Sequence, residues 1–336
     1  MTRINYFIFC SGLIFFSFGC RDAHTVPQQP LTALTGNPAI DGLSREIAQA
    51  PDQPDLYAQR GYLFYENEAY DEAIKDFQSA LQYDSANVEY MHLLADVYLD
   101  YYKSYDALKV MEKAAKLYPE RIPTLLKLSE FQLILQQYPA SMQTAGKVMQ
   151  LDPQNAEGFF MLGMNYKEMG DDARAINSFQ SAVENNPDIV DAWINLGQLQ
   201  AKQNNPIAAR YFDTAVQLDT FGVDALHAKA QYLSDKDDLK GAIQVYKTII
   251  ERDPQYEEAF FNSGLLYLDL DSVQQAYNQF NTAVQIAPAD PDAYYYRGLS
   301  AAFAGKIDQA RRDYQQAIQL NADHEKAKEA LAQLPL

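Results

Sequence analysis

The amino-acid sequence repeats itself with a period of about 34 residues over most of its length. Proline recurs at regular places, at Pro119, Pro153, Pro187, Pro254 and Pro288. Successive prolines are one period apart, with one exception. The distance from Pro187 to Pro254 is one residue shorter than two periods. Periods of this size are typical of arrays in which each unit packs only on its neighbours. The sequence therefore predicts a solenoid rather than one or two globular domains.

Alignment on the prolines divides residues 54–324 into eight repeats of equal length, except that the fifth is shorter by a single position. They are residues 54–87, 88–121, 122–155, 156–189, 190–222, 223–256, 257–290 and 291–324. Position 8 of the repeat is always small: Gly61, Ala95, Ser129, Gly163, Gly197, Ala230, Gly264 and Gly298. So is position 20: Ala73, Ala107, Ser141, Ala175, Ala208, Ala242, Ala276 and Ala310. Small residues at both positions would let two segments of each repeat approach closely.

A bulky residue is expected at position 24, which holds Phe77, Met111, Ala145, Phe179, Phe212, Tyr246, Phe280 and Tyr314. Proline at position 32 would end the second helix. With this pattern, residues 54–324 resemble the tetratricopeptide repeat (TPR) family. The resemblance implies an all-α superhelix, or solenoid, of about eight helical hairpins with terminal capping helices. The third repeat departs most, with Gln132, Ala145 and Val148 at usually bulkier positions, and is interpreted as a hinge or as a differently packed repeat.

Both ends of the array are predicted to carry a capping helix. Residues 38–53 place Leu43 and Ile47 at helical spacing, and residues 325–336 place Ala327 and Leu331 on one stripe. Terminal repeats need a polar outer face, which residues 325–336 provide. His324, among charged residues, is expected to be exposed to solvent. The array and its caps account for nearly every residue after position 37 and leave no room for a catalytic domain.

Residues 1–19 are interpreted as a lipoprotein signal peptide. Residues 6–18 are apolar throughout, but this run is shorter than the roughly 20 residues that a transmembrane helix needs. Gly19 precedes Cys20, which resembles the site at which a bacterial lipoprotein is lipidated. Ser17 and Phe18 depart from the usual leucine and small residue, and simple secretion or an uncleaved anchor remain alternatives. Residues 20–37 would then be a tether, and the protein would reside in the bacterial cell envelope, in the outer membrane by preference.

Acidic residues outnumber basic ones by 45 to 27, which gives a formal net charge of -18. Such a charge repels phosphate backbones, so no nucleic-acid partner is expected. Much of it recurs at position 2 of the repeats, in Asp55, Glu89, Glu157, Asp191, Asp224, Glu258 and Asp292. Carboxylates near helix N-termini are stabilised by the helix dipole. This structural interpretation is favoured over an acidic docking surface.

No catalytic motif stands out in the sequence. The chain contains no phosphate-binding loop, dinucleotide fingerprint, zinc-protease motif or nucleophile elbow. His92 and His227 share position 5 of their repeats but lie in the second and the sixth repeat, which argues against a common metal ion. The sequence therefore predicts a protein that is not an enzyme and has no cofactor and no metal site.

The first helices are expected to carry the partner-binding surface. Positions 5 and 9 form a stripe beside the buried one, and in TPR proteins this stripe lines the concave groove. The lysine at position 5 and asparagine at position 9 with which the family's chaperone-tail binders hold a carboxylate are absent. The candidate groove residues are Tyr62, His92, Asp96, Glu130, Phe160, Met164, Ile194, His227, Phe261, Leu265, Tyr295 and Leu299. Apolar anchors with nearby carboxylates suit a protein or peptide segment that carries apolar residues and a basic one. Equally, the bulky position-5 residues could simply pack against the neighbouring repeat.

These observations predict a lipid-anchored TPR scaffold that mediates protein–protein interaction in the bacterial envelope. Assembly of an envelope, secretion or cell-wall complex would fit, with the peptide bound in the concave groove. The alternative is an envelope lipoprotein that binds a small molecule or a glycan on groove aromatics, since the chain has 24 tyrosines. The oligomeric state is not predicted.

Overall fold

The computed structural model describes residues 35–335, and all regular structure in that range is α-helical. Cys20, with the predicted signal peptide and most of the predicted tether, lies outside the described residues. The eighteen helices of the described range are α1 Pro38–Gln49, α2 Pro54–Glu66, α3 Tyr70–Tyr83, α4 Val88–Asp100, α5 Ser104–Leu117, α6 Ile122–Ile134, α7 Tyr138–Leu151, α8 Ala156–Glu168, α9 Asp172–Asn185, α10 Val190–Lys202, α11 Ala208–Leu218, α12 Asp224–Asp235, α13 Leu239–Arg252, α14 Glu257–Asp269, α15 Val273–Ile286, α16 Pro291–Phe303, α17 Ile307–Leu320 and α18 Glu325–Gln333. None of them is long and apolar enough to cross a membrane.

The helices pack in consecutive hairpins, which confirms the predicted all-α repeat fold. The chain forms two compact units, one ending at Ser85 with α1–α3 and one beginning at Ala86 with α4–α18. Within the second unit, the even-numbered helices α4 to α16 are the first helices of their hairpins, and each second helix also contacts the following first helix. A first helix begins at residues 54, 88, 122, 156, 190, 257 and 291, and α12 begins at Asp224.

The turn inside every hairpin contains one residue in the left-handed conformation, always at repeat position 15. The φ angles lie between 53° and 77° at Glu68, Tyr102, Gln136, Gly170, Asn204, Asp237, Asp271 and Gly305. This conformation ends the first helix and reverses the chain. Two of the eight residues are glycine and three are Asn204, Asp237 and Asp271, whose residue types tolerate this conformation. Glu68, Tyr102 and Gln136 accept a backbone strain of roughly 1 kcal/mol or more each. In these three hairpins the turn geometry is therefore imposed by packing rather than by turn chemistry.

The core of each glycine-containing hairpin is a contact between position 8 and the ring at position 24. A Cβ atom placed on Gly163 would lie 2.6 Å from the ring of Phe179, and one on Gly264 would lie 2.7 Å from Phe280. Both rings are fully buried. Because a real Cβ essentially never comes this close to another heavy atom, the glycine is needed to seat the ring.

The third repeat fills its core with hydrogen bonds where most other repeats use a ring. The hydroxyl groups of Ser129 and Ser141 lie 2.9 Å apart at the helix crossing, and the side-chain amide of Asn165 donates to Ser141 Oγ at 2.8 Å. Thr144 Oγ1 donates to Gln132 Oε1 at 2.8 Å. Gln132, Ser129, Ser141 and Asn165 are all buried. Since buried polar groups are costly only when unpaired, this repeat packs differently rather than loosely.

A buried arginine–aspartate pair joins the two helices of the last repeat. Arg297 Nη2 donates to Asp313 Oδ1 at 2.6 Å and Nε donates to Oδ2 at 3.0 Å, while Nη1 donates to Asn281 Oδ1 on the preceding second helix at 3.0 Å. In the first unit, Arg60 and Asp76 form the same two-pronged pair at the same repeat positions. The planar guanidinium suits this task because its donors diverge in a fixed fork.

The expectation that His324 is exposed was wrong. Only 7% of its surface is accessible, because the side chain caps helix α18 and lies against the ring of Tyr295, with ring centroids 5.2 Å apart. Its Nδ1 accepts a hydrogen bond from the backbone N–H of Ala327 at 3.2 Å. Capping α18 gives this polar residue a reason to be buried.

We expect the substitution Gly163→Ala to lower the free energy of unfolding by about 1–3 kcal/mol, because the new methyl group would collide with Phe179. Gly146→Ala is the matched control, since no packing neighbour among residues 35–335 lies within 4 Å of a Cβ built on that helical glycine. There the added methyl should instead stabilise the helix by about 0.5–1 kcal/mol. Urea unfolding followed by circular dichroism measures both. Equal effects of the two changes would contradict the seating of the ring on position 8.

Candidate functional site

The candidate surface is formed by the exposed sides of the first helices in the second unit. Helix α10 contacts α12, and α14 contacts α16, so their sides adjoin. Positions 2, 5 and 9 of a repeat are three and four residues apart and therefore share one side of a helix. We call the set of these positions in α4, α6, α8, α10, α12, α14 and α16 the first-helix face.

One cavity of about 330 Å³ opens on the first-helix face. It is formed by α10, α12 and the start of α14 and is lined by Asp191, Ile194, Gln198, Asp224, His227, Ala228, Gln231, Tyr256 and Glu258. This volume is at the lower end of the roughly 300–1,000 Å³ of ligand sites. Two of the predicted partner residues, Ile194 and His227, line it.

The chemistry of the cavity is acidic and aromatic. Asp191, Asp224 and Glu258 supply one carboxylate from each of the three helices. Burial raises the pKa of Asp191, and the like charges of Asp224 and Asp219 raise it further. Tyr256 stands beside His227, with its hydroxyl 3.1 Å from Nδ1, and Glu258 Oε2 lies 3.8 Å from the same nitrogen.

The carboxylates at position 2 differ in whether the chain neutralises them. Glu89 receives a hydrogen bond from Arg121 Nη2 at 2.6 Å, whereas Asp292 Oδ1 lies 3.3 Å from His324 Nε2, a contact that is an ion pair only when this histidine is protonated. Asp191 and Asp224 form no ion pair with any residue in the range 35–335. Their negative charge is therefore left for solvent or for a ligand.

The predicted residues of the N-terminal half are largely satisfied within the chain. Lys127 Nζ lies 2.6 Å from Asp96 Oδ1, so this carboxylate already has a cation. His92 Nε2 is 3.1 Å from Thr124 Oγ1, and burial, aided by the charges of Lys127 and Arg121, lowers the pKa of His92 to about 4. Burial also raises the pKa of the Glu130 carboxyl, which Lys127 partly offsets.

The aromatic residues at position 5 contribute to the core of their own hairpins. Each packs on the ring at position 24 of its repeat, with centroid distances of 5.6 Å for Phe160–Phe179, 5.6 Å for Phe261–Phe280 and 5.9 Å for Tyr295–Tyr314. Phe261 also meets Tyr296 of the next repeat at 5.5 Å. The three rings nevertheless stay half-buried. Their role as partner anchors remains a prediction.

The other predicted residues are spread along the chain rather than gathered at one point. Met164, Leu265 and Leu299 are half-buried on the first-helix face, and Tyr62 of the first unit is 44% exposed. None of them lines the cavity.

Sequence reasoning missed the cavity's carboxylates and Tyr256 as a group. The signal was present, because Asp191, Ile194 and Gln198 follow an i, i+3, i+7 pattern that recurs as Asp224, His227 and Gln231. The helix-dipole explanation treated each position-2 carboxylate within its own helix. It therefore did not predict that carboxylates of neighbouring helices line one cavity. No cluster of three or more His, Cys, Asp or Glu residues within residues 35–335 is arranged to hold a metal ion.

The fold and this surface define a class: a helical-repeat protein that presents side chains along a row of neighbouring first helices. Family models described as tetratricopeptide repeat match residues 54–87, 160–223, 227–291 and 291–324, more than half of the chain. The chain belongs to the tetratricopeptide repeat family. Proteins with this fold are typically non-catalytic scaffolds that bind protein or peptide partners.

Curated relatives are distant and longer than this chain. The human Protein O-mannosyl-transferase TMTC1 is 24% identical over 207 residues, which cover 57% of this chain and 24% of that protein. Tetratricopeptide repeat protein 8 of Caenorhabditis elegans is 22% identical over 204 residues, covering 58% and 39%. The chain thus spans about a quarter to two fifths of the length of these relatives.

Solved structures share the fold at low sequence identity. The crystal structure of the APC/C hetero-tetramer Cut9–Hcn1 superposes with a TM-score of 0.54 at 15% identity, covering 88% of this chain and 58% of that one. The C-terminal part of a TPR repeat-containing protein from Cytophaga hutchinsonii gives 0.54 at 15% identity, covering 73% and 99%. A tetratricopeptide repeat protein from Parabacteroides merdae gives 0.50 at 16% identity, covering 73% and 97%.

The lowered pKa of His92 predicts a loss of stability in acid. The unfolded chain protonates this residue near pH 6.5 and the folded chain only near 4, so stability present above pH 6.5 is lost as the pH falls through that window. At pH 5 the loss should be about 1–2 kcal/mol. His92→Gln can keep a hydrogen bond to Thr124 but cannot titrate. Urea midpoints at pH 7.5 and 5 should fall less in the variant, and an equal fall in both proteins would contradict the assignment.

Proposed function

We propose that this protein is a scaffold of the bacterial cell envelope, held to a membrane by a lipid on Cys20, that binds a polypeptide segment on its first-helix face. The observation that carries the binding part is the cavity, because three consecutive first helices build it together. A ligand there touches three repeats at once. Assembly of an envelope, secretion or cell-wall complex is the role that this arrangement fits.

The dimensions of the cavity suit an extended chain. Packed helices lie about 8–10 Å apart, so three first helices in a row span about 16–20 Å. An extended polypeptide rises about 3.3 Å per residue, so about five or six residues would cross all three. The side chains of such a segment would point alternately toward and away from the first-helix face.

Apolar surface next to the cavity supplies the anchors that a peptide needs. Phe261 is half-buried on α14, whose start forms part of the cavity, and Tyr295 is half-buried on α16, the next first helix toward the C-terminus. Rigid aromatic side chains dominate the energy of many interfaces. A peptide that enters the cavity can therefore continue over these rings.

Support for the anchor comes from the sequence of residues 1–37. The apolar run at residues 6–18 ends directly before Gly19 and Cys20. Acyl chains each contribute about 0.8 kcal/mol per buried methylene, so two or more hold a protein stably on a bilayer. Residues 20–37 would then place the first helices beyond the membrane surface.

We expect Cys20→Ala to move the protein from the membrane fraction to the soluble fraction or to leave its precursor unprocessed. The reason is that lipidation requires the cysteine sulfur. Cell fractionation with mass spectrometry of the mature N-terminus provides the measurement, and Cys10→Ala is the matched control because that residue lies in the segment to be removed. A mature protein with an unmodified N-terminus elsewhere would contradict the lipid anchor.

Partner binding on the first-helix face can be tested by photo-crosslinking in intact cells. Benzoylphenylalanine in place of Gln231, at the cavity, should yield a discrete polypeptide adduct. The same replacement at Gln244, exposed on the second helix α13, is the matched control and should yield none. Equal crosslinking at the two positions would contradict the proposed surface. Adducts with glycan or small molecules but no polypeptide would favour the alternative of a glycan- or small-molecule-binding lipoprotein.

A further inference from the structure

The cavity between α10, α12 and α14 gathers negative charge without a matching cation. Three carboxylates, from Asp191, Asp224 and Glu258, open on it, and no lysine or arginine is among the described residues that line it. Another position-2 carboxylate, on Glu89, is paired with Arg121. Asp191 and Asp224 have no such ion pair within residues 35–335. An uncompensated charge in a concave site attracts a ligand of opposite sign.

The other walls of the cavity suit the stem of a long side chain. Ile194, Ala228 and the ring of Tyr256 provide apolar surface. A basic side chain has an apolar stem and a charged tip, so it can use both kinds of wall together. The carbonyl oxygen of the Gln231 side chain is a further acceptor for the N–H groups of such a basic side chain.

One basic residue of the chain marks the end of the cavity toward the N-terminus. Lys167 Nζ donates to Gln198 Oε1 at 3.0 Å, and burial lowers the pKa of Lys167. A second cation is therefore favoured on the opposite side of the cavity, near Asp224 and Glu258. No lysine or arginine is among the described residues that line that side of the cavity.

We propose that this cavity binds the side chain of an arginine, or less tightly of a lysine, in the polypeptide segment that the scaffold holds. This proposal rests on the proposed function, and it states the chemistry that the partner segment must have. Asp224 and Glu258 bind the charged tip, Asp191 strengthens the field, and Tyr256 packs against the stem or the planar group. Arginine is preferred because its guanidinium stacks on aromatic rings and donates to two carboxylates at once.

The same features exclude other ligand classes. An acidic peptide or a phosphate group would meet three carboxylates, so the site rejects them. The carboxylates, each on a different helix, are not arranged to hold a metal ion within the described residues. A free polyamine shares the charge of arginine but brings no peptide backbone, and the experiment separates the two.

The test is selection of binders from a displayed library of random dodecapeptides on the full chain, purified in mild detergent. We expect the selected peptides to share an arginine or lysine at one position next to apolar residues. For the best synthetic peptide, the double variant Asp191→Asn, Asp224→Asn should raise the dissociation constant about tenfold or more. Replacing the shared arginine by citrulline should have a similar effect on the unchanged protein. The affinity should also fall as salt is added.

The control variant carries Glu112→Gln and Glu251→Gln, which remove two exposed carboxylates from second helices and keep the change in net charge the same. It should bind the peptide as the unchanged protein does. Circular dichroism melts should show that both variants remain folded. An equal loss of peptide affinity in the two variants would show that the effect comes from the net charge of the chain, and would overturn the proposal.

Three other outcomes are distinguishable. Peptides that bind on the first-helix face without a shared basic residue, and with unchanged affinity in the Asp191→Asn, Asp224→Asn variant, would overturn this inference and leave the proposed function standing. Failure to select any peptide would defeat both. Spermidine that binds at these carboxylates, while no peptide is selected, would assign the cavity to a polyamine and would also overturn the proposal.

Discussion

The hairpins that carry an aromatic ring at position 24 depend on one close contact. The ring packs directly against the small residue at position 8. At Gly197, a Cβ would come within 2.8 Å of Phe212, and at Gly298 within 2.9 Å of Tyr314. This contact brings the two helices close enough to exclude water and fixes their crossing. Dense packing of this kind carries a steep penalty for one added methyl group. Because one side of the first helix is committed to the ring, the neighbouring side is free to vary from repeat to repeat.

The third repeat shows that the crossing, rather than the ring, is what must be preserved. There Ala145 occupies the place of the ring, and Ser129 and Ser141 meet at the crossing through a hydrogen bond. The side chain of Asn165, from the next repeat, joins the network, although its Oδ1 has no hydrogen-bond partner within residues 35–335. A polar core of this kind stays stable only while most of its donors and acceptors are paired. The array therefore tolerates different core chemistries as long as each one closes the same hairpin.

The periodicity of the sequence was enough to predict the hairpins, since small residues at two positions and a bulky one at a third recur at constant spacing. The turns were not predictable in the same way, because Tyr102 and Gln136 take the left-handed conformation that would favour glycine. The burial of His324 was also missed. Its burial depends on where the ring of Tyr295 in the last repeat lies, and this is a matter of tertiary packing. The site was predictable only in part, for a related reason. Ile194 and His227 were identified from their position in the repeat. The cavity, however, joins residues from three successive repeats. Whether these residues converge depends on the angle between neighbouring repeats, which the sequence of a single repeat does not determine.

The cavity has a mechanical consequence, because its three carboxylates belong to three repeats that meet at two interfaces, α11 with α12 and α13 with α14. A small rotation at either interface changes the distance between Asp191 and Glu258. An occupant that fixes this distance stiffens the array locally, and by reciprocity a force that bends the array alters how tightly the occupant is held. In such a protein, the same coupling free energy links the affinity for the ligand to the bending of the array.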